Sequence, residues 1–313
     1  MSRELLNRLK TNIEKVIFGK ADAIRQVMAA LLAGGHVLIE DVPGLGKTYL
    51  ARSLALSISG LFHRIQFTPD LLPSDVTGVS IYNQKKKIFE FRKGPVFTNI
   101  LLGDELNRAT PRTQSALLEC MEERQVSVDG VTYLLPRPFL VLATQNPIEQ
   151  QGVYNLPEAQ LDRFLIQINL GYPKHYVEME ILEAQKKRHP IESLDPVLKA
   201  EDVVAMQDQI RDIYVDESVR DYIVSLVEKT RSHASLVLGA SPRASLALYR
   251  MGQAMCYLDG VEFLRPDMVK VLAKPVLRHR LIVKPQARLG GVTPDHVIDD
   301  ILQNTPVPTT RRL

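Results

Sequence analysis

The sequence predicts a parallel α/β domain followed by an all-helical one, and three observations predict it. Up to Tyr172, short apolar runs of strand length alternate with segments of helical period. The first of those runs, His36 to Glu40, passes straight into a glycine-bearing turn and then a helix. Beyond Pro173 the strand signals vanish and helical periods take over.

The elements follow in order. The N-terminal MSRELLNRLKTNIEKV reads as a short amphipathic helix. Asp22 to Ala33 is a helix stopped by Gly34-Gly35. HVLIE is the first buried strand, and Thr48 to Ile58 the helix after it. HRIQF is the second strand and NILLG, ending at Gly103, the third. Thr110-Pro111 supplies a cap and a first-turn proline for a helix running to about Arg124. FLVLAT is the fourth strand and FLIQINL the fifth. Two hairpins interrupt this plan. VSVDGVTYL carries Asp-Gly between β-rich flanks. VSIYNQKKKIFEFRKGPVF turns at its lysine run and is an insertion available for surface binding. The second domain offers helices at His175–Arg188, Ala200–Arg211, Glu217–Ser232, Pro242–Tyr257 and Pro266–His279. The expected division is an α/β domain over 1–172, a helical domain over 173–305 and a disordered proline-marked tail over 306–313.

Composition sets the outer limits. The chain has 313 residues, enough for two domains, with 45% hydrophobic and 24% charged residues, an ordinary globular mix. Lysine and arginine number 39 against 36 acidic residues, a net charge of +3 that is too mild to argue for nucleic acid. Lys85-Lys86-Lys87 and Lys186-Lys187-Arg188 read as a solvated turn and a helix end. Cys120 and Cys256 are far apart and lack metal-ligand spacing, so they indicate neither a disulfide framework nor a zinc site. No run reaches membrane-spanning length and no signal-peptide pattern occurs, which makes the cytoplasm the expected location.

Five motifs carry chemistry. Asp41 to Thr48, DVPGLGKT, lies between a strand and a helix. Gly44 and Gly46 let consecutive N–H groups face one point and, with the helix N-terminus, form an anion site. Lys47 can reach the β- and γ-phosphates of ATP, and the Thr48 hydroxyl can ligate Mg²⁺. Asp41 stands where the usual pattern has its first glycine. In ILLGDELNRA an apolar strand ends in Asp104, a second Mg²⁺ ligand, and Glu105, which can polarise the attacking water. In FLVLATQNP, Asn146 follows a strand expected between the P-loop strand and the Asp104 strand, where its amide can orient that water; Gln145 is a weaker candidate, and alone the dipeptide would read as an Asn-Pro turn. In LPEAQLDRF, Arg163 can neutralise charge on a γ-phosphate supplied by a neighbour, or else pair with Asp162 at a helix end. In GASPRASLALYR, Ser241 can cap a helix whose first turn holds Arg243, an unfavourable place for a cation unless a phosphate comes near.

These residues resemble the AAA+ ATPases and, within them, the MoxR family. The resemblance covers nearly the whole chain. It is most specific in the runs from Arg64 to Gly78 and from Gln145 to Phe164, which generic P-loop proteins lack. It implies Walker A over Asp41, Val42, Pro43, Gly44, Leu45, Gly46, Lys47 and Thr48, with Tyr49 beside it, and Walker B at Asp104-Glu105. It further implies sensor 1 at Asn146, the arginine finger at Arg163, sensor 2 at Arg243 and adenine near Val16, Ile17, Phe18 and Gly19. The VSIYN hairpin would be the family's helix-2 insert and Val126–Leu135 its pre-sensor hairpin. A ring, usually a hexamer, is implied, as are a von Willebrand factor A domain partner and client proteins matured or loaded with metal. Two other classes stay open. A nucleic-acid motor of the same superfamily is disfavoured because the hairpins lack basic and aromatic interleaving. A nucleotide-gated scaffold is disfavoured because Glu105, Asn146 and Arg163 are all present.

Overall fold

A computed structural model describes residues 2–147, 152–186 and 188–308. Helices α1 (Ser2–Glu14) and α2 (Ala21–Leu32) precede strand β1 (Val37–Glu40) and helix α3 (Lys47–Ser57). Then come β2 (Phe62–Gln66), a one-turn α4 (Pro73–Thr77), the hairpin β3 (Gly78–Asn83) and β4 (Ile88–Lys93), and β5 (Ile100–Asp104). Helix α5 (Pro111–Glu123), the hairpin β6 (Gln125–Val128) and β7 (Val131–Leu134), β8 (Leu140–Gln145), α6 (Glu158–Leu161) and β9 (Ile166–Ile168) complete the α/β part.

Five strands make one sheet in the order β2-β5-β8-β1-β9. Every pair in it is parallel. The expected place of the fourth strand, between the P-loop strand and the Asp104 strand, is therefore correct. Alternation along the buried strands decides what each face packs against. Val37, Ile39, Leu102 and Leu142 face the layer of α1, α2 and α3, whereas Leu38, Leu101, Val141 and Ala143 face α5 and the hairpins. Each such aliphatic side chain contributes about 1.5–3 kcal/mol on burial. Because side chains alternate, a one-residue slip would exchange the two faces, so the register is firmly held. That register brings the C-terminal ends of β5, β8 and β1 side by side, with Glu40 opposite Gln145 and Gly103 opposite Ala143.

The remaining chain forms α7 (His175–Ala184), α8 (Ala200–Gln209), α9 (Glu217–Ser232), β10 (Leu236–Leu238), α10 (Pro242–Asp259), α11 (Pro266–Leu277), β11 (Ile282–Val283), α12 (Pro285–Leu289) and α13 (Pro294–Gln303). The sequence reading placed five helices here and missed α12, α13 and the short antiparallel pair β10-β11. Strands of three and two residues are too short to show a period; only their pairing makes them strands. The helical part shares one hydrophobic cluster with the α1–α3 face of the sheet, from Leu6 through Leu248 to Ile301. Arg25 on α2 pairs with Asp259 on α10 at 2.5 Å, and the Gln207 amide donates to the Leu31 carbonyl at 2.7 Å. Among the described residues no helix is long and apolar enough to cross a membrane. The expected tail falls largely outside the described residues, as do Ile148 to Gln151 of the family-specific run and Lys187.

Candidate active site

The turn after β1 is shaped by two glycines in the left-handed region, Gly44 at φ +88° and Gly46 at φ +86°. A Cβ at Gly44 would meet nothing within 4 Å, so conformation rather than crowding demands glycine there. Lys47 opens α3, and its ammonium donates to the Asp41 carbonyl at 2.8 Å. Burial lowers its pKa, while Asp104, Asp41 and Glu105 pull it back up. Asp41 itself accounts for the missing first glycine. Its buried carboxylate accepts the backbone N–H of Leu170, and that of Gly171 at 3.2 Å, at the exit of β9. Lys20 grips the same segment by donating to the Gly171 and Tyr172 carbonyls at 2.9 and 3.0 Å. The departure from the usual motif thus fastens the phosphate loop to the chain that leads into the helical part.

Asp104 ends β5, and Glu105 follows at φ +57°, a left-handed conformation that costs a non-glycine residue on the order of 1 kcal/mol or more. Thr144 of β8 holds both residues. Its hydroxyl donates to Asp104 Oδ1 at 2.6 Å and accepts the Glu105 N–H at 2.9 Å. Arg64 donates to Asp104 Oδ2 at 2.7 Å and to Gln66 Oε1 at 2.8 Å. Gln66 in turn donates to Glu105 Oε2 at 2.7 Å, the oxygen that Arg108 also contacts at 2.8 Å. Sequence reasoning missed Arg64, Gln66, Thr144 and Arg108. HRIQF was read as a plain strand, yet Arg64 and Gln66 are two residues apart and so share one face of β2, and Gln66 lies opposite Asp104 in register.

One cavity of about 410 Å³ collects most of the predicted residues. Ile17, Phe18, Pro43 through Tyr49, Asp104, Glu105 and Asn146 line it; Asp41, Val42 and Gly19 do not. Pro173, Ile181, Gln185 and His189 join its wall from the helical part, and Tyr49 stacks on His189 at 4.0 Å between ring centres. A glycine cradle with a buried lysine fits the phosphates of ATP, and the Thr48 hydroxyl and Asp104 carboxylate are a donor pair suited to Mg²⁺.

Comparison with known proteins agrees with this geometry. Residues 36–166 match the family model "ATPase family associated with various cellular activities (AAA)", and residues 228–301 match the AAA lid domain. The chain is 50% identical to YeaC, an uncharacterized protein of Bacillus subtilis, over 98% of this chain and 96% of that one. It is 40% identical to the Mycobacterium tuberculosis protein named Chaperone MoxR1, over 97% of this chain and 82% of that one. The chain belongs to the MoxR family of AAA+ ATPases. A crystal structure of a Cytophaga hutchinsonii protein superposes with a TM-score of 0.93 at 39% identity, covering 98% of this chain and 96% of that one.

In this MoxR-family chain the two remaining predicted residues sit elsewhere. Arg163 follows α6, and Arg243 lies in the first turn of α10, which Ser241 caps by accepting the Arg243 N–H at 3.1 Å. Glu122, near the end of α5, holds both guanidiniums, Arg163 at 3.0 Å and Arg243 through a short contact. Asp162 does not pair with Arg163, the alternative raised by their adjacency. Its carboxylate takes Arg280 at 2.7 Å and the Ser241 hydroxyl at 2.6 Å. Arg163 and Arg243 line a second cavity that shares no residue with the phosphate cavity.

Proposed function

We propose that this chain hydrolyses ATP with Mg²⁺ as a ring, with each phosphate cavity completed by Arg163 and Arg243 of an adjacent copy. The observation that carries the reading is the partition just described: one cavity holds the glycine loop, Lys47, both Walker B carboxylates and Asn146, and both arginines lie outside it, tied to Glu122. Lys47 pairs the terminal phosphates, Thr48 and Asp104 hold the metal, Asn146 orients the attacking water and Glu105 receives its proton. Bound Mg²⁺ neutralises charge on the phosphates. Arg64 holds Asp104 Oδ2 at 2.7 Å, an oxygen that Mg²⁺ there would draw on. Arg163 and Arg243 supply cationic charge to the γ-phosphate of the neighbouring copy.

The biological role follows from the family. The M. tuberculosis relative is named a chaperone, and the resemblance brings a hexameric ring, a von Willebrand factor A domain partner and maturation or metal loading of client proteins in the cytoplasm. The β3-β4 hairpin supports a protein-binding role, because it leaves Ile81, Tyr82, Ile88 and Phe89 exposed, with Phe89 at 72%.

Mixing variants tests the trans assignment. Arg163→Ala chains and Glu105→Gln chains are each expected to be nearly inactive alone. Mixed rings should regain turnover, because some interfaces then pair an intact Glu105 with an intact Arg163. If mixed oligomers form and turnover stays absent, Arg163 does not act across an interface.

A further inference from the structure

Helix α7 forms part of the phosphate cavity's wall through Ile181 and Gln185, yet of its 10 residues it buries only Val177. Val177 packs on Gly19, where a Cβ would come within 2.8 Å of it. One apolar contact is a weak hold on a helix, since a well-seated core element rests on many. The rest of the hold is polar and lies at the entrance to α7. Asn169 donates to the Glu40 carbonyl at 2.6 Å. The Asp41 carboxylate accepts the Leu170 N–H and, at 3.2 Å, the Gly171 N–H. Lys20 donates to the Gly171 and Tyr172 carbonyls at 2.9 and 3.0 Å. Gly171 turns at φ +64°, and a Cβ there would meet nothing within 4 Å, so no packing holds the turn. Two opposite charges therefore clasp residues 170–172, the carboxylate on the N–H groups and the ammonium on the carbonyls. Lys20 lines the cavity and Asp41 does not.

We infer that Asp41 and Lys20 are positioning residues for ATP: by clasping residues 170–172 they set α7 at the distance from the phosphate loop at which one nucleotide fills both the loop and the α7 wall. The inference rests on the reading of this cavity as the ATP site. It gives Asp41 a task that a glycine in the same place cannot perform. Asp41 is continuous with the phosphate loop, so its carboxylate ties the wall to the loop itself. A fixed gap between two subsites spares the ligand the entropy of drawing them together. Phosphates alone need only the loop and are indifferent to where α7 stands.

The test compares ATP with tripolyphosphate, which carries the phosphates without ribose or base, each with Mg²⁺ on the full chain by calorimetry. Asp41→Gly restores the glycine of the usual loop pattern, and Lys20→Met keeps the apolar stem while removing the ammonium. Each should weaken ATP binding at least about tenfold, as expected for loss of a charged hydrogen-bond partner, and leave tripolyphosphate within about twofold. Lys47→Ala should weaken both ligands. Hydrogen exchange in the free chain gives a readout without nucleotide. Peptides covering α7 should exchange at least about tenfold faster in both variants, and peptides covering α10 at the parent rate. Lys20 is only half-buried, so Lys20→Met reports even if Asp41→Gly fails to fold. Equal loss of the two ligands in the variants would make Asp41 and Lys20 general supports of the loop and overturns the inference. So does a parent chain that binds the two ligands equally, or α7 exchange that stays at the parent rate. A parent chain that binds neither ligand overturns the ATP reading instead, and the exchange rates then decide by themselves whether the clasp places α7.

Discussion

The two cavities differ in how they are built. The phosphate cavity is a product of strand ends: β1, β5 and β8 are adjacent and parallel, and each delivers its functional residues just beyond its C-terminal end. Its charges come close to balance, with Lys20, Lys47 and Arg64 against Asp104 and Glu105. The arginine cavity gathers side chains from α5, α10 and the segments beside α6 and α11, and its cations exceed its anions. A site on adjacent strand ends can gather its phosphate-loop and acidic groups within one chain. The arginine cavity, with more cations than carboxylates, is open to a group brought to it from another copy.

That contrast can be broken by experiment, and the largest effect belongs to the strand-end cavity. Glu105→Gln keeps the Thr48 and Asp104 donors and so keeps nucleotide binding, while hydrolysis should fall roughly 10²–10⁴-fold, the range for loss of a positioned general base. Turnover close to the parent rate would remove Glu105 from that role. Lys47→Ala should weaken ATP binding by roughly 10- to 100-fold, since a charge-assisted bond contributes about 1.5–3 kcal/mol. Unchanged ATP affinity by calorimetry would contradict a completed phosphate cradle.

A third effect probes the wall of the arginine cavity. His36 is buried there, with Nδ1 accepting the Val141 N–H at 3.0 Å and Nε2 donating to the Met121 carbonyl at 2.9 Å. A second ring proton would have to face the Val141 N–H. Burial, above all, lowers the His36 pKa from 6.5 to about 4, with Arg124 adding to the shift and the Met121 bond opposing it. The unfolded chain therefore binds the extra proton first as pH falls. Stability is full above about 6.5, drops through the window down to about 4, and is about 2 kcal/mol lower at pH 5. Urea unfolding at about pH 7.5 and about pH 5 should show this loss, and His36→Gln should flatten it; equal pH slopes in the two chains would sever His36 from the acid response.

Legibility followed the same division as the cavities. Gly44, Lys47 and Thr48 lie within eight residues of the end of β1, and Asp104, Glu105 and Asn146 at or next to the ends of β5 and β8, so local pattern fixes where these candidates stand. Arg64 and Gln66 could not be read, because their partners Asp104 and Glu105 are 39 or 40 residues away and meet them only through the β2-β5 register. Asp41 was visible as a departure from a motif, but its reason, two backbone amides at Leu170 and Gly171, comes from the far edge of the sheet. Cys120 and Cys256 are buried, and burial above all pushes the Cys120 thiol to about 12 and the Cys256 thiol to about 11.

By itself the sequence determined the alternation of strands and helices, the phosphate loop and the acidic strand end, since these depend on periodicity and on chemistry within a few residues. The tertiary structure alone decided which distant charges meet. Glu122 holds Arg163 and Arg243 although the three are spread across more than a hundred residues, and Arg124 and Arg250 line the same cavity from after α5 and from α10. Electrostatic interaction depends on distance through space and on the dielectric around it, and neither quantity is written in local pattern.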